Sequence, residues 1–262
     1  MVSDRLPVPL LMRMASHPLR WALMTELAAS DRRVRELVAA VGEPQNLVSY
    51  HLRLLRSAGL VTMRRSSFDG RDSYYHLDLG RCGAAWAESA GALHPALAPA
   101  AATPTDVTGA AVLFLCSGNS ARSPMAEGLL RHRSNGRIEV ASAGSHPKPA
   151  LHPNAVRVLH ERYGIDLSGH HTTALPAVAD RRFDYVITLC DRVREYPRDH
   201  GPATTVHWSL PDPATAAPAD DAASYPEFCR VAEEIDIRNR YLLPLLTPTT
   251  VTGSATHAEY RN

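Results

Sequence analysis

Cysteine and arginine stand six residues apart in the segment VLFLCSGNSARSPMAEGLL, which covers residues 112–130. The segment is typical of an apolar strand, a polar loop that runs from Cys116 to Arg122, and a helix with a proline in its first turn. In a strand–loop–helix unit, the N–H groups of the loop and the N-terminus of the helix converge and bind an anion. The pattern therefore predicts an oxyanion site with a thiol at its base.

The residue types in this loop suit nucleophilic chemistry on a tetrahedral oxyanion. We expect the helix N-terminus and Arg122 to lower the pKa of Cys116 below its free value of about 8.5, which favours the thiolate. Arg122 can grip two oxygens of the anion, and Ser123 can hydrogen-bond the thiolate. The residues expected to bind the oxyanion form the whole loop, namely Ser117, Gly118, Asn119, Ser120, Ala121 and Arg122.

The segments around this loop predict an α/β domain with a small parallel sheet over residues 110–246. FDYVITLC is typical of a buried strand that ends at Cys190, and TTVHWSL of another strand. FCRVAEEIDIRNRYLLPLL is typical of an amphipathic helix. Strands that alternate with helices favour a parallel arrangement, because each crossover then carries a helix.

Composition separates this domain from an earlier one. The chain has 262 residues, of which 45% are hydrophobic and 21% charged, so it can bury two cores and is not disordered as a whole. Residues 90–109, AGALHPALAPAAATPTDVTG, lack apolar periodicity and are expected to be a linker. The sequence thus predicts a multidomain protein with domains at 1–89 and 110–246, and a tail at 247–262.

The first domain is predicted to be an α+β winged helix-turn-helix. Apolar residues recur at helical spacing over residues 8–27, and two further helices are expected to end at Gly42 and Gly59. LVTMRRSS and SYYHLDL then flank FDGRD, whose Asp-Gly pair is typical of a hairpin turn. We expect Leu47, Leu52 and Leu55 to face the core.

Residues 6–79 resemble the ArsR family of bacterial repressors, most specifically in QNLVSYHLRLLRSAGLV and the arginine-rich hairpin. The resemblance implies a homodimer, formed through the N-terminal domain, that binds double-stranded operator DNA. Five arginines and one acidic residue between Asn46 and Arg71 favour phosphate contacts there. The expected DNA-contacting residues are Gln45, Asn46, Ser49, Tyr50, His51, Arg53, Arg64, Arg65 and Arg71. The cysteine pair with which many ArsR sensors bind arsenite or metal is absent from RVRELVAAVG, and Cys82 is expected to be a buried structural thiol.

Residues 110–246 resemble the low-molecular-weight tyrosine phosphatases and, among them, the thiol-coupled arsenate reductases. The matching pieces are CSGNSARSPMAEG, SAG, VITLC and HWSLPDPA. The resemblance implies that Cys116 is the nucleophile, Arg122 the oxyanion clamp and Ser123 the loop hydroxyl. It implies that Asp212 is the general acid and Cys190 the second thiol, which attacks Cys116 after arsenate has bound.

Those reductases carry a third cysteine just before a proline, but here Tyr196 precedes Pro197. We therefore expect no tightly bound cofactor and an external reductant, either a redoxin or a low-molecular-weight thiol. The resemblance leaves two alternatives to an arsenate reductase of arsenic resistance. One is a phosphatase of phosphotyrosine or other monoesters fused to the DNA-binding domain, and the other is a non-catalytic regulator that senses an oxyanion such as arsenate or phosphate.

Three further expectations concern location and metals. No apolar run approaches the length of about 18 residues that spans a membrane, and we expect a cytoplasmic protein without membrane contact. The four cysteines form no CxxC pair, and His170 and His171 are expected to be solvated polar residues, so no transition-metal site is predicted. Glu127 and Ser142 fall where related reductases bind structural potassium, so the resemblance implies that this ion could bind there.

Overall fold

The chain builds two hydrophobic cores, one on each side of the predicted linker. This computed structural model describes residues 8–94, 97, 109–195, 202–215 and 221–246. The predicted tail at 247–262 and most of the predicted linker lie outside the described residues. The start of that linker, however, is helical, because the helix that follows the hairpin continues to Leu93.

The N-terminal domain is a winged helix, as predicted. Its helices are α1 (Leu10–Ala15), α2 (Pro18–Ala29), α3 (Val34–Val41), α4 (Gln45–Ser57) and α5 (Leu79–Leu93), and its strands are β1 (Arg32–Arg33), β2 (Val61–Arg65) and β3 (Ser73–Leu77). The strands form an antiparallel sheet in the order β1-β3-β2. Helix α2 begins with a proline at its first position, and α3 ends at Gly42 in the left-handed conformation that favours glycine. We call the β2–β3 hairpin, residues 61–77, the wing.

One stripe of α4 packs into the core of this domain. Val48, Leu52 and Leu55 are fully buried on that stripe. Leu47, which we expected in the core, is instead 37% exposed. Leu47 lies about 100° around the helix from Val48, on a side of α4 that is open to solvent.

The second domain is α/β, as predicted, with all strands of its sheet parallel. The strands are β4 (Ala111–Cys116), β5 (Glu139–Gly144), β6 (Tyr185–Thr188) and β7 (Thr204–His207), in the order β5-β4-β6-β7. The helices are α6 (Arg122–Arg133), α7 (Pro153–Tyr163), α8 (Asp191–Glu195) and α9 (Asp221–Leu242). Helix α9 begins before the predicted segment and contains Pro226, whose missing N–H removes one bond of the helix.

The parallel sheet places three chemically important segments at one edge. Cys116 ends β4, Cys190 follows β6, and Asp212 follows β7. The carboxyl ends of parallel strands meet at the same edge, which is where α/β domains bind ligands. Among the described helices, none has the length and hydropathy needed to cross a lipid bilayer.

Candidate functional site

The loop between β4 and α6 is held by the amide of Asn119. Its Nδ2 donates hydrogen bonds to Ser123 Oγ (2.9 Å) and Ser142 Oγ (2.8 Å), and its Oδ1 accepts one from the N–H of Thr173 (2.6 Å). Asn119 is fully buried and has a φ of 44°, in the left-handed region that asparagine tolerates. The loop is therefore fixed to β5 and to the segment around Thr173 before any anion binds.

Cys116 lies at the base of this loop. Its Sγ is 3.0 Å from Ser123 Oγ, and the side chain is 2% exposed. Because Ser123 Oγ accepts the hydrogen of the Asn119 amide, its own O–H can point at the sulfur. This arrangement orients a donor toward a thiolate on Cys116.

Arg122 connects the loop to Asp212. Its Nη2 lies 2.8 Å from Asp212 Oδ2, and its Nη1 donates to the carbonyl of Leu210 (3.2 Å). Burial disfavours the charged form of Arg122, but Asp212 and the two nearby thiols raise its pKa overall. Its Nε is buried and hydrogen-bonds none of the described residues, so it remains a donor for an oxyanion.

Asp212 is the more exposed partner of this pair. Its side chain is 39% exposed, against 7% for Arg122. Its Oδ1 accepts a hydrogen bond from the N–H of Ala214 in a 3₁₀ turn over Pro213–Thr215. The carboxyl is thus placed beside the oxyanion loop while it retains access to solvent, as a proton donor requires.

Cys190 is the second thiol at this edge of the sheet. Its Sγ lies 3.3 Å from Ser117 Oγ, within the oxyanion loop, and its side chain is 2% exposed. Burial raises the pKa of Cys190, and the negative charge of Cys116 adds to this, while Arg122 opposes it. Both thiols are free. Tyr196 and Pro197, which replace the third thiol of the reductases, lie outside the described residues.

The position predicted for potassium is already occupied by protein groups. Glu127 is buried in α6, where one carboxylate oxygen accepts from Arg131 and the other lies 3.0 Å from His170 Nε2. Both carboxylate oxygens of Glu127 therefore already have a partner within the chain. His170 also departs from the expectation of a solvated side chain, since it is 18% exposed and contacts Glu127, whereas His171 is exposed.

The helix α4 presents most of the predicted DNA-contacting residues to solvent. Gln45, Asn46, Tyr50 and Arg53 are exposed, and Ser49 is half-buried. His51 is 5% exposed and its ring lies 4.3 Å from that of His17. Burial, together with His17 and Arg20, lowers the pKa of His51. His51 therefore packs as a core residue on the inner side of α4, unlike the exposed residues that are predicted to contact DNA.

The wing arginines differ from one another. Arg65 and Arg71 are exposed. Arg64 instead points at the second domain, where its guanidinium donates to the carbonyl of Ser209 and pairs with Glu234 at 3.3 Å. Of the predicted phosphate contacts in the wing, two are free to meet DNA and one is bound within the chain.

Several residues at the boundary between the domains were not found by sequence reasoning. They are Ser30, Asp31, Ser67, Asp191, Ser209 and Arg238. Asp191 follows Cys190 directly, and Ser209 lies three residues before Asp212. This adjacency is the only sequence signal that marks them, because their partners are distant along the chain.

Comparison with known proteins gives matches to both parts of the chain. The model of the family described as "Low molecular weight phosphotyrosine protein phosphatase" matches residues 111–251. The model described as "Bacterial regulatory protein, arsR family" matches residues 17–63. An arsenate reductase of Shouchella clausii is 37% identical over 128 residues, which are 48% of this chain and 90% of that protein. An arsenate reductase of Bacillus subtilis is 35% identical over the same length and the same shares.

Two solved structures are similar to about half of the chain. An arsenate reductase in the phosphate binding state has 30% identity and a TM-score of 0.46, covering 53% of this chain and 100% of that one. A low molecular weight protein tyrosine phosphatase from T. tengcongensis has 28% identity and a TM-score of 0.43, covering 52% and 99%.

Proposed function

Because the chain belongs to the low molecular weight phosphotyrosine protein phosphatase family and joins that domain to an arsR-family DNA-binding region, we propose that it acts in arsenic resistance as a repressor and a thiol-dependent arsenate reductase in one chain. The observation that carries this proposal is the second buried thiol. Cys190 lies beside Ser117 in the oxyanion loop, where a hydrolase has no use for it.

The proposed reaction begins with oxyanion binding by Arg122 and the loop N–H groups. The Cys116 thiolate attacks arsenic, and a hydroxyl leaves as water after it takes a proton from Asp212. The Cys190 thiolate then attacks Cys116 Sγ, the sulfur–arsenic bond breaks, and its electron pair stays on arsenic, which leaves as arsenite. The products are arsenite and a Cys116–Cys190 disulfide.

Regeneration of the thiols requires a reductant from outside the chain. The sequence has Tyr196 where the related reductases have their third cysteine. A redoxin or a low-molecular-weight thiol must therefore attack the Cys116–Cys190 disulfide directly. Because the proposed operator is bacterial DNA, the protein acts in the cytoplasm, where such thiols are kept reduced.

The repressor part is proposed to act as a homodimer on operator DNA. Large apolar side chains are exposed on the two helices that would form the dimer contact, namely Leu10 on α1 and Trp86 and Leu93 on α5. These helices pack on each other within one chain, so their outer faces present one apolar surface to a second copy. The recognition helix α4 lies elsewhere in the domain and keeps its polar residues exposed.

A phosphate-monoester phosphatase is the second candidate, and one contact favours it. The 2.8 Å pair between Arg122 and Asp212 sets a proton donor beside the anion site, which suits the departure of an ester oxygen. An oxyanion-sensing regulator without turnover is the third candidate, supported by the contact of Arg64 with Ser209 near the same site.

One set of assays separates the three candidates. The purified full chain is incubated with arsenate and alternative thiol donors, and separately with p-nitrophenyl phosphate, while arsenite and p-nitrophenol are measured. Arsenite release that needs both Cys116 and Cys190 supports the reductase. Hydrolysis without arsenite release supports the phosphatase, and an arsenate-dependent change in DNA affinity without either activity supports the regulator.

A further inference from the structure

The winged-helix domain holds the backbone of the segment that carries Asp212. We call residues 208–212 the acid loop. Its second residue, Ser209, is 3% exposed and lies between groups of the N-terminal domain. The Ser209 N–H donates to Asp31 Oδ2 at 2.7 Å, and the Ser209 carbonyl accepts from the guanidinium of Arg64. One peptide segment of the second domain is thus held on both its donor and its acceptor by the first.

Main-chain contacts continue this attachment into β7. The N–H of Asp31 donates to the carbonyl of His207 (2.8 Å), and the N–H of His207 donates to Ser30 Oγ (2.9 Å). Residues 30–31 therefore lie against the end of β7, held by one backbone hydrogen bond and one that involves the Ser30 hydroxyl. The acid loop leaves the sheet directly after this point.

Asp31 is an anchored charge and not a surface carboxylate. It is 3% exposed, Arg238 donates to both of its oxygens at 3.0 to 3.2 Å, and His76 lies 3.0 Å from Oδ1. Burial alone would raise the pKa of Asp31, but Arg238 and His76 hold it well below its usual range. The carboxylate is therefore ionised and rigid, and it offers Ser209 a strong acceptor.

The acid loop connects Asp31 and Arg64 to the oxyanion site through a series of hydrogen bonds. Ser209 Oγ donates to Asp191 Oδ1 (2.8 Å), which fixes the loop against the residue after Cys190. The next carbonyl, that of Leu210, accepts from Arg122, and Asp212 pairs with the same guanidinium. The groups that link Asp31 to Arg122 through these hydrogen bonds are all buried or half-buried.

We propose that Asp31 and Arg64 of the winged-helix domain are positioning residues for the proton donor Asp212, so that the enzyme site is complete only when the two domains are docked. This inference rests on the proposed function, because it takes Asp212 as the general acid. The second domain is then not a self-contained enzyme, and its acid loop depends on side chains of the DNA-binding domain. Neither residue touches the substrate, so both act through Ser209.

Leaving-group dependence distinguishes positioning from a general loss of structure. Asp31→Asn removes the negative charge that pairs with Arg238 and turns one of the two acceptor oxygens into a donor, so the acceptor offered to Ser209 is weakened. In Arg64→Ala the carbonyl of Ser209 loses its donor. A misplaced acid slows only esters whose leaving oxygen needs a proton. We expect kcat for phenyl phosphate to fall about tenfold in either variant, which is part of the contribution of about a hundredfold or more that a general acid makes. We expect kcat for 2,4-dinitrophenyl phosphate to change less than about twofold, because its leaving group needs no proton.

Matched controls lie in the same domain and away from the acid loop. Glu26→Gln alters a surface carboxylate paired with Arg32, and Arg35→Ala removes an arginine that is 64% exposed. Both should keep the wild-type rates on the two esters. Arg64→Lys should restore part of the phenyl phosphate rate, because an ammonium can still donate to the carbonyl of Ser209.

Hydrogen exchange provides a readout that needs no activity. We expect the amides of Ser209, Leu210 and Asp212 to exchange faster in Asp31→Asn and Arg64→Ala than in the wild type and the two controls, while those of the oxyanion loop do not change. Equal losses on both esters, or unchanged exchange in the acid loop of the folded Arg64→Ala variant, would overturn the inference. Failure of arsenite release in the wild type would instead count against the proposed reductase and leave both of these measurements readable.

Discussion

Asp191 accepts two hydrogen bonds from Ser67 at the tip of the wing, one from the backbone N–H (2.6 Å) and one from the hydroxyl (2.9 Å). Asp191 is the first residue of α8 and follows Cys190 in the sequence. Glu195, at the end of the same helix, accepts from Ser66 and Tyr74 of the wing. The helix that follows the second thiol is therefore docked on the element that is expected to contact DNA.

This contact predicts that the redox state of the thiols changes DNA affinity. Formation of the Cys116–Cys190 disulfide draws Cys190 toward the oxyanion loop, and α8 must follow because Asp191 is its neighbour. We expect the affinity for operator DNA to differ between the reduced and the arsenate-oxidised chain by about fivefold or more, the lower end of typical coupling between sites. Fluorescence anisotropy with labelled operator measures this difference.

Two variants check that the coupling uses this route. Cys190→Ser cannot form the disulfide and should show no effect of arsenate oxidation on DNA affinity. Ser67→Ala loses the hydroxyl contact with Asp191 and should show a smaller difference than the wild type. Equal affinities of the reduced and oxidised wild-type chain would rule out this coupling.

Replacement of the nucleophile should separate binding from turnover. Cys116→Ser is expected to abolish arsenite release and ester hydrolysis, because this loop does not ionise a hydroxyl at neutral pH. Binding of arsenate should survive in part, since Arg122 and the loop N–H groups remain. Isothermal titration measures that binding, and Arg122→Ala is the matched variant that should lose it. Retention of most of the turnover in Cys116→Ser would show that another group is the nucleophile.

Cys190 should matter for one of the two chemistries only. In Cys190→Ser, arsenite release through the disulfide stops, while hydrolysis of p-nitrophenyl phosphate stays within about twofold of the wild type. Mass spectrometry after one arsenate turnover should find a Cys116–Cys190 bond in the wild-type chain. Unchanged arsenite release from Cys190→Ser with every thiol donor would favour a route through an external thiol adduct. Asp212→Asn should impair both reactions.

The pH dependence of the second step follows from the burial of Cys190. Burial raises the pKa of this thiol, so it is protonated at neutral pH, and only its thiolate attacks Cys116. The rate of disulfide formation in a single turnover should therefore rise about tenfold per pH unit from pH 7 toward that raised pKa. Rapid acid quench followed by mass spectrometry measures the rate. A rate that is flat between pH 7 and 8 would contradict this protonation state.

The wing arginines should contribute unequally to DNA binding. Arg65 is exposed, so Arg65→Ala should weaken binding to all sequences and lower the slope of log affinity against log salt by about one unit. Arg64 must first leave Ser209 and Glu234, so operator DNA that recruits it should slow hydrolysis of phenyl phosphate. Substitution of Asn46 or Ser49 should change sequence preference instead. Gel retardation at several salt concentrations, with scrambled DNA as the control, tests the predictions for Arg65, Asn46 and Ser49. The phenyl phosphate assay with operator DNA or scrambled DNA tests the prediction for Arg64.

Local sequence was enough to predict the elements of the site. The strand, loop and helix around Cys116 follow each other within the 19 residues 112–130, so their arrangement is dictated by neighbours in the chain. The winged helix was predictable for the same reason, because Gly42 follows α3, Gly59 comes two residues after α4, and the hairpin turn has an Asp-Gly pair. The roles of Cys190 and Asp212 came from resemblance, since their approach to Cys116 depends on the order of the parallel strands.

The contacts between the domains were not predictable from the sequence. Asp31 and Ser209 are 178 positions apart, and no periodicity relates them. Arg64 has the charge and the position in the wing that are expected of a DNA-contacting residue. Its ion pair with Glu234 depends on where α9 places that carboxylate, which local sequence does not reveal. His51 was assigned to the DNA surface because of its polarity, but its place on α4 directs it toward His17.

The pairing of residues 30–31 with His207 also bears on how such a fusion arises and persists. One backbone hydrogen bond, from the N–H of Asp31 to the carbonyl of His207, and a second from the His207 N–H to Ser30 Oγ join the two domains directly. If the chain is cut within residues 98–108, the two resulting polypeptides should therefore reassemble with the same relative arrangement of the domains. The covalent connection adds a fixed ratio of one repressor domain to one enzyme domain. Gene fusion would then preserve a complex that the interface already specifies, and the length and composition of the connecting segment could drift freely.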